Sequence, residues 1–108
     1  MTRKILGKIQ SATFGFGGYQ DAEMSFDITF SMEGSGVGTS FGFWAYRSDH
    51  AQWTIEEQHQ RFAYTVELLR DTLRAAKKQH VAQLPGTPVE LAFEGSRLLT
   101  WRVLEEVL

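Results

Sequence analysis

The sequence predicts an α+β domain: an antiparallel β-meander, one long amphipathic helix packed on the sheet, and a C-terminal β-hairpin. Three observations predict it. Met24, Phe26, Ile28, Phe30 and Met32 alternate with Glu23, Ser25, Asp27, Thr29 and Ser31, which is the period of a strand with one dry and one wet face. Ile55, His59, Phe62, Val66, Leu69, Leu73 and Ala76 recur at spacings of four and three, which draws an apolar stripe along a helix. Val89, Leu91 and Phe93, then Glu94-Gly95-Ser96-Arg97, then Leu99, Trp101 and Val103 read as strand, turn and returning strand.

Taken in order, Ile5 to Phe16 is β-rich, and Gly17-Gly18 is expected to supply the positive-φ residues of a tight reversal into the alternating strand. Glu33-Gly34-Ser35-Gly36 is the next turn. Val37, Thr39, Phe41 and Phe43 then alternate with Gly38, Ser40, Gly42 and Trp44 to complete the meander, leaving one face with little side-chain cover. Thr54-Ile55-Glu56-Glu57 matches a capping box, in which the threonine hydroxyl accepts a backbone N–H one turn on and the glutamate reaches back to the threonine amide. Glu56 and Glu57 at the start of the helix and Lys77 and Lys78 at its end suit the helix dipole. Both prolines fall between His80 and Pro88, so this segment is expected to be a linker. The expected core is Phe26, Ile28, Phe30, Phe62, Val66, Leu69 and Leu73, joined by Leu91, Phe93 and Trp101.

A chain of 108 residues with 43% hydrophobic content can build one core without staples, so residues 1–108 are expected to form a single domain. There is no cysteine; this excludes disulfides, thiolate catalysis and sulfur-ligated metal, and a reducing cytoplasm is expected. No apolar run reaches signal-peptide or membrane-spanning length, so no membrane partner is expected. Between Ile9 and Trp53 the acids Asp21, Glu23, Asp27, Glu33 and Asp49 face a single base, Arg47. Such a surface repels a phosphate backbone.

Motifs of chemistry are weak. Gly38-Thr39-Ser40-Phe41-Gly42 fits G-x-S-x-G, but that motif works as a strand-to-helix elbow and here it falls inside an alternating run. The glycine clusters at 15–18 and 34–38 lack the spacing and the Lys-Ser/Thr pair of phosphate loops. His50, His59 and His80 are too scattered for a local metal motif; neither metal nor cofactor is expected. His59, on the apolar stripe, reads as a packed core histidine. Asp49 and His50 form a nominal acid–base pair, which keeps a small hydrolase or nuclease as one alternative.

The residues left over suit contacts. Tyr19, Gln20 and Asp21 follow the glycines of the first turn. Tyr46, Arg47, Asp49, His50 and Trp53 crowd the loop before the helix, and loops on rigid scaffolds commonly carry binding residues. On the helix, Tyr64 and Leu68 fall opposite the apolar stripe beside Arg61, where they are expected to be exposed and to meet a partner or a second protomer. Binding of a protein, without enzymatic activity, is therefore the expected function. The other alternative is nucleic-acid binding through Arg3, Lys4, Lys8, Arg70, Arg74, Lys77 and Lys78, with Tyr19 or Trp53 stacking on a base.

Three segments carry a resemblance: "KI.SATFGFGGYQDA" near the start, "W..RS.H..WT.E" in the middle and "P.E..FEG..L..WR.L.EVL" at the end. Across nearly its whole length the chain resembles a family of small uncharacterised proteins encoded by bacteriophages and prophages. The resemblance implies a phage or prophage setting within a host cell. In that setting the lack of a catalytic constellation and the aromatic-rich loops lead to the expectation of an accessory protein that binds a host or phage protein in the host cytoplasm, with inhibition of a host process such as antiviral defence as one form of that action. It implies no catalytic residues.

Overall fold

The computed structural model describes residues 2–17, 23–34, 38–47 and 53–108. Its elements run β1 (Thr2–Gly17), β2 (Glu23–Met32), β3 (Gly38–Arg47), α1 (Ile55–Ala76), β4 (Pro88–Glu94) and β5 (Arg97–Val103), with short 3₁₀ turns at Val81–Gln83 and Glu105–Val107. The meander and the C-terminal hairpin are one antiparallel sheet in the order β3-β2-β1-β4-β5. The α+β architecture matches the expectation, and β1 is what unites its two halves. At 16 residues it is long enough to change partners, pairing with β4 from Thr2 to Lys8 and with β2 from Gly7 to Gly17. Gly7 sits at the change, opposite both Met32 and Val89. A Cβ at Gly7 would collide with the Ser31 carbonyl oxygen, so the close approach of the strands requires glycine there.

The sheet is curled. Register shifts interrupt the β1–β2, β2–β3 and β4–β5 ladders, and such bulges bend and twist a strand. The curl brings Trp101 of β5 to within 5.9 Å of Phe41 on the opposite edge strand, and to 5.2 Å from Phe30. Phe26, Ile28, Phe30, Val89 and Leu91 are fully buried on the concave side, joined by Ile9, Phe93 and Val103. The strand residues of the expected core therefore stand where the alternation put them, with Trp101 half-buried against them.

The helix begins at the expected threonine cap, but Glu57 meets the Thr54 hydroxyl where the capping box has it reach the Thr54 backbone N–H. Thr54 Oγ1 accepts from the Glu57 backbone N–H at 3.1 Å, and the same hydroxyl donates to Glu57 Oε1 at 3.2 Å. Its buried face, however, differs from the expected stripe. Thr65, Thr72 and Ala76 are buried, Arg61 and Leu68 are half-buried, and Val66 is 55% exposed, with Ile55 and His59 also in solvent. At about 100° per residue the helix is turned by roughly 70° from the orientation its apolar pattern predicts. The threonines make this possible: Thr65 Oγ1 donates to the Arg61 carbonyl and Thr72 Oγ1 to the Leu68 carbonyl, each at 2.8 Å. With the hydroxyl satisfied inside the helix, burial of the threonine leaves no unpaired donor. A line of small side chains also lets the helix approach a sheet surface built from large aromatic rings. Phe62, Leu69 and Leu73 flank that line and are half-buried; Val66 and His59 lie outside the core.

Two other expectations are corrected. Gly17 is an ordinary extended strand residue paired with Glu23 and has open space around it, so it does not form the reversal; Gly18 lies outside the described residues. The segment between α1 and β4 is more than a linker. Leu84 is completely buried in the core, and Gly86 N–H and Thr87 C=O bond to the backbone of Ile9 at 2.7 and 2.9 Å. These bonds sit at the β1 bulge and tie the segment to the sheet.

Candidate functional site

Where the end of β3 meets the first half of α1, five side chains stack. The Arg61 guanidinium lies 3.8 Å from the ring centre of Phe43 and 3.8 Å from that of Trp44. Tyr64 extends the stack beyond Phe43 at 4.7 Å, and Trp53 extends it beyond Trp44 at 4.8 Å. Each member is placed by a local feature. The β2–β3 register shift between Met24/Ser25 sets Trp44 opposite Ser25 and Tyr46 opposite Met24, so one extra residue, the buried Ala45, bends the strand. Trp53 immediately precedes the helix N-cap. Arg61 and Tyr64 project from one side of α1, three residues apart.

Arg61 is fixed in every direction that the fold controls. Its Nε donates to the Trp44 carbonyl at 2.6 Å, and the two rings hold its faces by cation–π attraction. Burial, followed by the nearby Arg47 charge, lowers its pKa from the ordinary arginine value, while Tyr64 acts in the opposite direction. It stays cationic at neutral pH. Arg47 itself lies 5.2 Å from the Trp44 ring and pairs with Glu23 at 3.1 Å.

Of the residues expected to contact a partner, the structure gathers Arg47, Trp53, Arg61 and Tyr64 into this one cluster. Tyr46 is exposed beside it on β3. Leu68 is half-buried, not exposed, and shares a groove with Tyr64. It packs against the core and lines this groove, of about 480 Å³ between α1 and β5, with Phe41, Thr72 and Trp101. Its expected exposure followed from the stripe, and it fails for the same 70° rotation. Tyr19, Gln20, Asp21, Asp49 and His50 lie outside the described residues. Phe43 and Trp44 are the members that sequence reasoning missed. Their alternation marked them as strand residues, and nothing local signals that an arginine 17 positions on will insert between them.

The basic residues considered for nucleic acid are divided between β1, the C-terminal half of α1 and the two lysines that follow it. Lys4 pairs with Glu90 at 3.9 Å and Arg70 with Asp71 at 2.8 Å. Gly38 to Gly42 lies within β3, so the G-x-S-x-G run forms no elbow. Among the described residues, no group of three or more His, Asp or Glu side chains converges to hold a metal ion, and no helix is long and apolar enough to cross a membrane. Comparison with protein-family models, curated proteins and solved structures finds no match to any of them.

Proposed function

We propose that this chain is a non-enzymatic binding protein whose contact surface is the Tyr64–Phe43–Arg61–Trp44–Trp53 stack. The observation that supports the reading is the stack itself. Tryptophan, tyrosine and arginine are the residue types that dominate binding energy at protein interfaces, and they do so when held rigid at the centre of a patch. Here they are ordered by one another, and Tyr64 remains 55% exposed at the end of the row. The proposal includes the setting implied by the resemblance, a bacteriophage or prophage accessory protein in a host cell, and there it acts in the host cytoplasm on a host or phage protein, inhibition of a host process being one form of that action.

The test is affinity capture from host extract with the wild-type chain and with Tyr64→Ala. Tyr64 is exposed, so its truncation is expected to leave the circular-dichroism spectrum unchanged and to remove the captured partner. Recovery of the same proteins by both chains overturns the reading.

A further inference from the structure

We propose that Arg61 is a preformed receptor for a carboxylate, and that the partner presents an aspartate or glutamate next to an apolar side chain. The inference rests on the stack being a protein-binding surface, and it adds the chemistry of what binds there.

Three observations carry it. The first is geometric. Arg61 Nε is used by the Trp44 carbonyl at 2.6 Å, and the guanidinium carbon lies over the Phe43 and Trp44 rings, 3.8 Å from each ring centre. What remains is the edge bearing Nη1 and Nη2, which make no hydrogen bond or ion pair among the described residues. A planar pair of N–H groups on a fixed guanidinium matches the two oxygens of a carboxylate. Because the side chain is already immobilised, little conformational entropy is lost when the anion docks.

The second is a missing counterion. Arg47, Arg70 and Arg102 each have a carboxylate within ion-pair distance, whereas Arg61 has none among the described residues. Its natural helix partner would be Glu57, one turn earlier. Glu57 is instead engaged by the Thr54 hydroxyl at the helix cap. A half-buried cation is thus left with another cation, Arg47, as its electrostatic neighbour. If the stack served only to pack α1 on β3, an uncharged side chain of the same reach would do so without that repulsion.

The third concerns which anion fits. Glu23 and Asp27 on the neighbouring strand β2, and Glu56 and Glu57 in the first helical turn, place four acids on the elements flanking the stack, so an extended polyanion laid across them is repelled. A run of nucleic-acid phosphates would meet that repulsion repeatedly. A single carboxylate meets it once, and an apolar neighbour gains contact with the exposed Tyr64 ring.

The experiment is selection of a random peptide library on the full chain, followed by affinity measurements. The expected peptides are enriched in Asp or Glu beside an apolar residue. Changing that acid to its amide should weaken binding by about tenfold or more, the scale of a lost charge-assisted pair. Arg61→Lys, which keeps the charge but not the planar edge, should do the same while retaining the wild-type circular-dichroism spectrum. If Arg61→Lys does not fold, the acid-to-amide peptides on the wild-type chain decide the matter alone. Peptides selected without acidic enrichment, or indifferent to the amide change, overturn the inference and leave protein binding standing. Tighter binding of a thymidine decamer than of any selected peptide overturns it in favour of phosphate recognition. Failure to retain any peptide counts against it, and the Tyr64→Ala capture experiment separately decides whether the surface binds protein at all.

Discussion

Strand β2 and helix α1 both carry a clear apolar pattern, yet only the strand buries the pattern it displays. Phe26, Ile28 and Phe30 are completely buried, and Met24 and Met32 are half-buried, in register with Phe16, Phe14, Ala12, Ile9 and Gly7 across the ladder. In α1 the most apolar stripe leaves Ile55 and Val66 largely exposed, whereas Thr65 is fully buried. The difference lies in the symmetry of the two elements. A strand has two faces, and a shift by one residue exchanges them completely, so an intermediate orientation does not exist. A helix can roll about its axis through any angle, and its final orientation is the best fit to the surface beneath it.

The largest expected effect tests the strand. Phe30 is fully buried and in contact with Trp101, so Phe30→Ala should destabilise by about 3–5 kcal/mol in chemical denaturation. A loss below about 1 kcal/mol would mean that β2 does not anchor the core. An intermediate effect tests the helix. Leu68 and Leu69 are both half-buried against the core, and alanine at either should cost about 1–3 kcal/mol, less than full burial would give. Val66→Ala should stay within about 0.5 kcal/mol. The reverse order, with Val66 costly and Leu68 neutral, would restore the orientation that the apolar stripe alone predicts.

The smallest effect belongs to neither element and sets the floor for the comparison. Arg102 on β5 donates to Glu106 at 3.1 Å and to Glu90 at 3.2 Å. The bond from Arg102 holds the Glu106 carboxyl below its ordinary value. A carboxyl whose pKa is lowered on folding contributes stability above its unfolded pKa, and that contribution is lost as pH falls through the folded value. Thermal melts of wild type and Glu106→Gln should therefore differ slightly at neutral pH and converge in acid. Because both partners are exposed, the difference should also shrink with added salt. A gap between the melts that persists in acid would assign Glu106 a role other than this ion pair.

How far the site was legible follows the same division. Arg47, Trp53, Arg61 and Tyr64 stood out by residue type and by their place near the helix start, and they do meet. Phe43 and Trp44 looked like ordinary strand residues because their role depends on the β3 bulge and on the roll of α1. Leu68 was misplaced for the second of these reasons. Leu84, in a segment bounded by prolines, looked like surface connection because its burial depends on backbone bonds to Ile9, more than 70 residues earlier.

By itself the sequence determined the strands, the helix with its threonine cap, and the turn of the C-terminal hairpin. These depend on periodicity, on capping hydroxyls and on glycine, which act between residues a few positions apart. Tertiary structure alone decided that β1 joins the two halves into one curled sheet, that threonines rather than valine face its aromatic surface, and that Arg61 sits between Phe43 and Trp44. Each of these outcomes depends on the shape of a surface assembled from distant segments. Side-chain volume and hydrogen-bond satisfaction against that surface outweigh the hydrophobicity of any one helix stripe.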